Sequence, residues 1–392
     1  MTSIKKICLI TQDFYPIKGG IASYLLEVYK KYFSKVSFEV IVPESLGTKK
    51  QFEFLPFKVH RTPFALFNID DFERKRCNKK ILSILESIKP DLLLFGYIRA
   101  HPEAGVMYKK LHPFSKIATF AHAKEIFIDN CILKKTVVNG SHKGYSVKEG
   151  KFYKNVLNSM DLILSVSRFT KKILKQQGIN TKIIILNPPV QNMKKINIKS
   201  SRKKLKIPLN SLVLLSVGRL IKRKGQDKII KILPELKKKY SNIMYIIVGD
   251  GPELINLLKL AKDMNVQDRV KIFSSVGEEK NYFYSACDLF VLPCNFIPPN
   301  DVEGRCIVFL EANSFGKACV GGNSGGVPEA IRNNVTGLLI NPDSKRDLLK
   351  KIIYLLDHPK LRKKFGNAGK KRVLKEFNIH KSGYLIKLFQ KD

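Results

Sequence analysis

A chain of 392 residues with 44% hydrophobic content is long enough for two globular domains, each with its own core. Its 71 lysines and arginines against 33 aspartates and glutamates give a net charge of +38, which attracts nucleic acid, anionic membrane surfaces or phosphorylated small molecules. No apolar run approaches the roughly 18 residues of a membrane span, and the apolar centre near Met1 is too short for a signal peptide, so a cytosolic protein is expected.

Seven cysteines are scattered singly along the chain. None belongs to a CxxC pair, so neither a zinc site nor a disulfide framework is predicted. The cysteines are expected to be reduced and to lie mostly in the core.

Buried strands alternate with helices along the first half of the chain. The strand segments read KKICLIT, FEVIVPE, PDLLLFGY, KIATFAH and DLILSVS. A glycine loop, PIKGG, leads from the first strand into an amphipathic helix. A polar, basic stretch from Gln191 to Asn210 ends this series.

The same alternation restarts in the second half. Its strand segments read LVLLSVGR, NIMYIIVGDG, RVKIFSS, DLFVLP and ACVGG. Alternation of this kind predicts parallel sheets with helices on both faces, and two rounds of it predict two doubly wound α/β domains. Because ligands of such sheets bind at the carboxyl ends of the strands, two facing domains would form one cleft.

Two glycine motifs suggest other enzyme classes. GDGPEL resembles a dinucleotide-binding loop, but Leu254 replaces its third glycine. The segment Gly322–Gly326 matches the GxSxG elbow of hydrolases, with Ser324 as the nucleophile and only His358 and His380 following as bases. These glycines are better explained as allowing close approach of a backbone to phosphate.

The segment SVGRLIKRKGQD predicts a diphosphate site. Arg219 and Lys224 project from a loop at a strand end, where arginine grips phosphate with two hydrogen bonds and lysine adds a point charge. The backbone N–H groups of Ile307 and Val308, at the start of a later helix, would point further donors at the same phosphates.

Two glutamates, Glu303 and Glu311, stand on either side of the apolar run before the glycine cluster. In one continuous helix they would lie about 12 Å apart along the axis and roughly 80° apart around it, so they would not pair with each other. They are better suited to opposite ends of one elongated ligand. We expect Glu303 to hold a sugar, the middle of the site to hold a diphosphate, and Glu311 to hold a ribose.

The segment EGRCIVFLE resembles the paired-glutamate motif of retaining glycosyltransferases of family 4. Further segments resemble that family in its order: PIKGGIASYLLE, SVSRFTKKIL, SVGRLIKRKG, IVGDGPE and GGVPEAI. The resemblance implies the GT-B fold, with two Rossmann-like domains facing across a cleft. It implies an acceptor-binding domain over 1–195 and a nucleotide-sugar-binding domain over 196–371, with a final helix of about 372–392 packing back on the first domain.

Carried over residue by residue, the resemblance implies that Glu311 binds the ribose and that Arg219 and Lys224 bind the diphosphate. It implies that Glu303 contacts the donor sugar and that His122 lies beside the transferred sugar. Gly19 and Gly20 would let the first loop come close to the phosphates. His122 and Glu303 are therefore the candidate catalytic residues. Arg305 and Cys306 stand where the family commonly has Phe and Gly, and Cys306 makes the backbone less permissive there.

The predicted function is retaining transfer of a hexose-type sugar from a UDP- or GDP-linked donor to a glycan or lipid-linked acceptor, in surface polysaccharide or glycolipid synthesis. No cofactor and no metal is expected, because Arg219 and Lys224 can stabilise the leaving diphosphate and no acidic DxD pair is evident. A nucleotide-sugar epimerase or hydrolase of the same fold, and a basic nucleic-acid-binding protein, remain alternatives. Nucleic acid is not the expected partner.

The surplus of positive charge predicts a further partner, the anionic inner face of the membrane. Basic tracts at Arg74–Lys80 and Lys143–Lys154 lie in the half expected to hold the acceptor. Reversible, salt-sensitive peripheral binding through that half is therefore expected.

Overall fold

The computed structural model describes residues 4–17, 19–64, 71–128, 147–187, 190, 196–274, 279–298, 300–377, 385 and 388–389. The chain forms two compact units. The first consists of Met1–Pro189, Pro298–Asn300 and Ile379–Asp392, and the second of Val190–Ile297 and Asp301–Asn378. The first boundary lies a few residues before the predicted one at 195.

The first unit contains a seven-stranded parallel sheet with the order β3-β2-β1-β4-β5-β6-β7. Its strands are β1 (Lys6–Ile10), β2 (Ser37–Pro43), β3 (Lys58–Thr62), β4 (Leu92–Phe95), β5 (Lys116–Ala121), β6 (Leu162–Ser165) and β7 (Ile183–Ile185). The central strands are continuous apolar runs because both faces of the sheet are covered. The strand order reverses between β1 and β4, which is where doubly wound sheets bind ligands.

The helices of this unit are α1 (Gly20–Val28), continued by a π-helical turn (Tyr29–Phe33), α2 (Lys49–Phe52), α3 (Asp71–Ile88), α4 (Pro102–Leu111), α5 (Val147–Asn158) and α6 (Arg168–Gln176). One face of the sheet packs against α1, with Tyr24 and Leu25 buried against Leu94 and Phe120. Near the end of the chain, Leu385 and Phe389 are buried in this same core, together with Leu186 and other residues of the first unit.

The second unit contains a six-stranded parallel sheet with the order β10-β9-β8-β11-β12-β13. Its strands are β8 (Leu212–Val217), β9 (Ile243–Val248), β10 (Val270–Phe273), β11 (Leu289–Leu292), β12 (Cys319–Gly322) and β13 (Gly337–Ile340). The order reverses between β8 and β11, so the loops after these two strands border the expected binding crevice.

Eight helices of the second unit cover the two faces of its sheet within the described residues: α7 (Ile198–Lys204), α8 (Gln226–Lys239), α9 (Leu254–Asp263), α10 (Lys280–Ala286), α11 (Ile307–Ser314), α12 (Val327–Ala330), α13 (Lys345–Asp357) and α14 (Pro359–Glu376). Each face has its own apolar cluster, one around Phe290 and Phe309 and the other around Tyr245 and Ile230. The two doubly wound α/β domains predicted from the sequence are confirmed.

Six cysteines fall in the described part of the chain, and all six are buried with free thiols; Cys131 lies outside it. Among the described helices, none is long and apolar enough to cross a membrane.

Candidate active site

The loops after β8 and β11 meet through a cluster of charged side chains. Lys224 Nζ lies 2.7 Å from Glu303 Oε1, and the Arg223 guanidinium also contacts Glu303. Arg223 Nε lies 3.0 Å from Asp301 Oδ1, so the two cations face two carboxylates. All four side chains are largely buried. Breaking such a buried pair strongly destabilises a protein, so the cluster fixes the two loops relative to each other.

Glu311 lies on α11 and uses both carboxylate oxygens. Its Oε1 accepts a hydrogen bond from Lys280 Nζ at 2.6 Å, and its Oε2 accepts one from the Tyr284 hydroxyl at 2.6 Å. Burial, and then the nearby Glu311 charge, raise the pKa of Tyr284 well above its usual value, so this phenol stays a donor. A carboxylate has about four acceptor sites, so Glu311 can still accept two ligand hydroxyls.

The two glutamates do not share a helix. Because α11 begins at Ile307, Glu303 lies in the loop before it, and the separation expected for one continuous helix does not apply. The N–H groups of Ile307 and Val308 have no hydrogen-bond partner within the described residues, and no side chain caps this helix. They form the positive end of α11, which favours an anion.

Arg219 and Lys224 differ in environment although they leave the same loop. The Arg219 side chain is exposed, and its guanidinium makes no ion pair or hydrogen bond with the part of the chain that the structure describes. Lys224 is 9% exposed and is already paired with Glu303. Of these two cations, Arg219 can turn toward a ligand without breaking a contact.

The glycines of Gly322–Gly326 pack closely against neighbouring backbone. A Cβ on Gly326 would come 1.8 Å from the Gly304 carbonyl oxygen, and the Gly326 N–H donates to the Glu303 carbonyl at 2.7 Å. A Cβ on Gly322 would come 1.9 Å from the carbonyl oxygen of Cys294. These glycines therefore allow backbone to pack on backbone and so hold Glu303 in place, and the approach of their loop to a phosphate stays a prediction.

The part of the chain that the structure describes does not supply the catalytic pair of the hydrolase alternative. Ser324 Oγ is buried and has no hydrogen-bond partner in the described structure. His358 Nδ1 instead lies 2.7 Å from the Tyr354 carbonyl oxygen, and His380 lies outside the described residues. No described histidine activates Ser324.

In the first unit, Gly19 and Gly20 mark the start of α1, after β1. A Cβ on Gly20 would meet nothing within 4 Å, and one on Gly19 would meet only Ile17, at 3.7 Å. Gly19 has extended backbone angles that any residue can adopt. Folding of the unit therefore does not require glycine at either position, and their small size leaves open space at the start of the helix.

His122 follows β5 and is 8% exposed. Its Nε2 lies 3.0 Å from the Gly96 carbonyl oxygen, which makes Nε2 the donor and leaves Nδ1 as an acceptor in the neutral ring. The ring packs edge-on against Tyr24, with centroids 5.6 Å apart. The backbone of His122 is held by Glu125, which accepts its N–H at 2.5 Å.

The sequence reasoning missed four side chains that hold the predicted ones. Arg223 and Asp301 stand inside the segments it had singled out, next to Lys224 and two residues before Glu303. Lys280 and Tyr284 lie 31 and 27 residues before Glu311 along the chain, and no spacing rule links them to it. They meet Glu311 only because α10 and α11 belong to the same unit.

A separate cavity of about 550 Å³ lies between α8 and α9. Residues that line it include Ile221, Gln226, Lys228, Glu253, Asn256 and Asn295. Neither Glu303 nor Glu311 lines it, so we place the candidate site at the charged cluster, where the sheet topology brings the strand ends together.

Comparison with known proteins finds similar sequences and structures over most of the chain. Residues 197–372 match the family described as glycosyl transferases group 1. Over 371 residues the chain is 25% identical to a GDP-mannose-dependent alpha-(1-6)-phosphatidylinositol monomannoside mannosyltransferase of Mycolicibacterium smegmatis, with 92% of each chain covered. Over 352 residues it is 24% identical to one component of the human phosphatidylinositol N-acetylglucosaminyltransferase, with 88% of this chain and 67% of that protein covered.

A solved structure, Anabaena HepE in complex with UDP-glucose, superposes on this chain with a TM-score of 0.79 at 18% identity. The superposition covers 98% of this chain and 99% of the other. Likeness at this identity concerns the fold, and it extends over both units. Residues 197–372 thus resemble the glycosyl transferases group 1 family, and the two parallel sheets have the GT-B fold predicted from the sequence.

Proposed function

We propose that the protein is a retaining glycosyltransferase that moves a hexose-type sugar from a nucleoside-diphosphate donor to a lipid-linked acceptor. One observation carries the proposal. The strand order of the second unit reverses between β8 and β11. The loops and the helix that follow these two strands carry two carboxylates, Glu303 and Glu311, two cations, Arg223 and Lys224, and the first N–H groups of α11. These are the groups that a nucleotide sugar needs along its length.

Glu311 would hold the ribose of the donor. Lys280 and Tyr284 each take one of its oxygens, so the carboxylate is fixed in orientation before the ligand arrives. Two hydroxyls on adjacent carbons can then bond to the remaining acceptor sites of the two oxygens. Hydrogen bonds to a charged acceptor contribute about 1.5–3 kcal/mol, more than neutral ones.

Arg219, Lys224 and the N–H groups of Ile307 and Val308 would bind the diphosphate. Negative charge grows on the leaving diphosphate as the bond to the sugar breaks, and fixed cations and N–H dipoles stabilise it in that state. Lys224 would shift part of its contact from Glu303 to phosphate when the donor binds. We propose that these groups suffice for departure without a divalent metal.

Glu303 would lie between the diphosphate cations and the sugar. Its Oε1 faces Lys224 and Arg223, which leaves Oε2 for a sugar hydroxyl. Retention follows from same-face attack, in which an oxygen of the leaving phosphate takes the proton of the acceptor hydroxyl. His122, whose Nδ1 is the free acceptor of its ring, would contact a hydroxyl of the transferred sugar.

The acceptor is proposed from the relatives. The mycobacterial relative is named for a phosphatidylinositol mannoside and the human one for phosphatidylinositol, so glycolipids of this type are the first acceptors to test. The donor nucleotide stays open, because that mycobacterial relative is named for GDP-mannose and the Anabaena structure holds UDP-glucose.

A lipid acceptor requires the enzyme to work at a membrane, and we propose peripheral binding to the anionic cytoplasmic face. Helix α3 exposes Phe72, at 73%, beside the basic residues of its outer face, Lys75, Arg76, Lys79 and Lys80. The neighbouring α4 exposes Met107 and Leu111, and Phe114, 84% exposed, follows it. Apolar side chains between lysines suit an interface of acyl chains and anionic headgroups.

The test is a donor assay with matched UDP- and GDP-sugars, first without acceptor and then with phosphatidylinositol-containing vesicles. The proposal predicts slow hydrolysis of one donor alone and sugar transfer to lipid with retained anomeric configuration. Epimerised donor without transfer would favour an epimerase. Rapid hydrolysis unaffected by acceptor would favour a hydrolase, and inactivity with tight binding to nucleic acid would favour the remaining alternative.

A further inference from the structure

Two cysteines lie side by side at the edge of the proposed donor site. Cys294 follows β11, Cys306 is the N-cap residue of α11, and their Sγ atoms are 4.0 Å apart. Both are buried, at 0% and 2% exposure. Within the described residues, no other two cysteine sulfurs are in hydrogen-bonding contact.

The two cysteines have different charged neighbours. Lys224 Nζ lies 3.5 Å from Cys306 Sγ, and Cys294 Sγ lies 4.0 Å from Glu303 Oε1. Burial raises the pKa of the Cys294 thiol, but the hydrogen bond with Cys306 and the charges of Lys224 and Arg223 outweigh this effect and lower the pKa. The same hydrogen bond, together with burial, raises the pKa of Cys306. The two coupled thiols lose their first proton as a pair, and the neighbouring cations favour the thiolate.

The same atoms do not suit a metal ion. Cys294, Cys306 and Glu303 could offer three ligand atoms. However, Lys224 already places an ammonium 2.7 Å from Glu303 and 3.5 Å from Cys306, and Arg223 adds a second positive charge. A divalent cation would have to enter against both.

We propose that Cys294 and Cys306 form an oxidation site through which a peroxide reversibly disables the donor site. In the first step the Cys294 thiolate attacks a peroxide oxygen, the O–O bond breaks, and hydroxide leaves. Cys294 is then a sulfenic acid. In the second step Cys306 loses its proton to that hydroxide and attacks the Cys294 sulfur, so the S–O bond breaks and a second hydroxide leaves. The two thiols lose two electrons in total, and the peroxide gains them.

The consequence for catalysis follows from geometry and rests on the proposed function. A disulfide is about 2.05 Å long, so the two sulfurs must approach each other by about 2 Å. Cys306 immediately precedes Ile307, and the segment between the two cysteines contains Glu303. A misplacement of about 1 Å in a substrate-positioning group can cost about 100-fold in rate. Transfer should therefore fall at least about ten-fold on oxidation and return with a thiol reductant.

The experiment treats the reduced full-length protein with hydrogen peroxide. Peptide mapping without reduction should find one new link, between the peptides of Cys294 and Cys306. Sugar transfer, or nucleoside-diphosphate affinity, is measured before oxidation, after it, and after dithiothreitol. Because the thiolate is the nucleophile, the oxidation rate should rise with pH. Binding of a nucleoside diphosphate should lower the oxidation rate, because Lys224 would then contact the phosphate and lie farther from the two sulfurs.

Two variants separate the pair from general oxidation. Cys306→Ala cannot form the link, so peroxide should leave a sulfenic acid on Cys294 that a 1,3-dione reagent traps. Cys287→Ala removes another buried thiol of the same unit, whose pKa burial raises to about 11, and should oxidise like the parent protein. A link through another cysteine, Cys131 included, or full transfer by the linked protein, would overturn the proposal. If the reduced protein neither binds nor transfers, the proposed function fails, whereas the peptide map still decides the link.

Discussion

Glu303 and Glu311 carry the same functional group, but their neighbours give them different tasks. Glu303 faces two cations, and one of them, Lys224, is itself proposed to bind phosphate, so the charge of Glu303 also sets where Lys224 points. Glu311 faces one cation and one neutral phenol, both of which fix its orientation from the protein side. A change at Glu303 should therefore affect both turnover and the structure of the loop, whereas a change at Glu311 should affect mainly nucleotide affinity.

Glu311→Ala should weaken binding of the nucleoside diphosphate by about 1.5–3 kcal/mol, because charge-assisted hydrogen bonds to two ribose hydroxyls are lost. That corresponds to about a 10- to 150-fold rise in Kd, measured by calorimetry. Glu311→Gln serves as the second variant, because glutamine has the same shape as glutamate and still offers an oxygen that accepts the Tyr284 hydrogen bond. Glu235→Gln, an exposed glutamate of the same unit that pairs with Lys345, is the control. Unchanged affinity in folded Glu311 variants would remove this residue from the site.

His101 should make the stability of the protein depend on pH. It is 3% exposed, with Nδ1 2.6 Å from Asn78 Oδ1, and burial followed by the charge of Arg74 lowers its pKa from 6.5 to about 4. The unfolded chain binds a proton near pH 6.5, whereas the folded chain does so only near 4. The stabilisation from neutral His101 is therefore present above pH 6.5 and is lost as the pH falls toward 4. The difference between the pKa values of the unfolded and folded states corresponds to about 3 kcal/mol in the free energy of unfolding.

Thermal unfolding of the parent protein and of His101→Asn at pH 7.5, 5.5 and 4.5 measures this effect. Asparagine tolerates the left-handed backbone of this position, where φ is 54°, and does not titrate in this range. Below pH 6.5 the parent protein should lose stability more steeply than the variant. Parallel pH profiles would mean that His101 does not cause the loss.

At the scale of elements, the site depends on two loops and the start of one helix. The loop after β8 provides Arg219, Arg223 and Lys224, the loop after β11 provides Glu303, and α11 provides its first N–H groups. Glycines of the loop after β12 pack on the backbone of Glu303 and Gly304. Neighbouring strand ends thus bring together residues that are far apart in sequence.

Because these elements would present cations and N–H dipoles to the leaving group, we predict turnover without a divalent metal. Transfer measured in buffer treated with EDTA should equal transfer in untreated buffer, and added Mg²⁺ should change it less than two- to three-fold. Lys224→Ala should instead lower the rate at least about ten-fold, while the exposed Lys231→Ala of α8 should not. Abolition by EDTA with recovery on Mg²⁺ or Mn²⁺ would contradict this view of the leaving group.

The elements differ in how far the sequence could predict them. Ten of the thirteen described strands were predicted, because buried parallel strands are continuous apolar runs bounded by loops, whereas β3, β7 and β13 were missed. The first N–H groups of α11 were predictable from the apolar run before Glu311. The position at which α11 begins relative to Glu303 was not predictable, because neither Arg305 nor Cys306 prevents a helix from starting earlier. The two residues that bond to Glu311, Lys280 and Tyr284, were not predictable either, because their contact with Glu311 depends on packing between α10 and α11. The backbone packing of Gly322–Gly326 was not predictable, because a missing side chain admits a backbone as readily as a ligand.

At the scale of the whole molecule, each unit has its own reversal of strand order, between β1 and β4 in one and between β8 and β11 in the other. Gly19 and Gly20 follow β1, and the charged cluster follows β8 and β11. The net charge of +38 is larger than a single diphosphate needs. Part of the basic tract at Lys143–Lys154 lies outside the described residues, but Lys151 and Lys154 of α5 are exposed, as is most of the basic face of α3.

We predict that the protein binds anionic vesicles reversibly and that the first unit mediates the binding. Each lysine or arginine near an anionic surface contributes about 1 kcal/mol, and this attraction is screened by salt. Sedimentation with phosphatidylserine vesicles should show binding at low salt that falls steeply at high salt. Replacing Lys75, Arg76, Lys79 and Lys80 by glutamine should reduce the partition coefficient at least about ten-fold.

The control replaces the same number of exposed lysines in the second unit, Lys350, Lys363, Lys364 and Lys371, and has the same net charge. It should bind nearly as well as the parent protein if position matters more than total charge. A third variant, with Phe72 and Phe114 changed to serine, measures the apolar contribution, which salt does not screen. Equal binding to neutral vesicles would assign the attraction to these apolar side chains, and equal loss in the two charge variants would mean that no particular face of the protein is used. Absence of binding at low salt would leave the lysines of α3 as an ordinary solvated helix face.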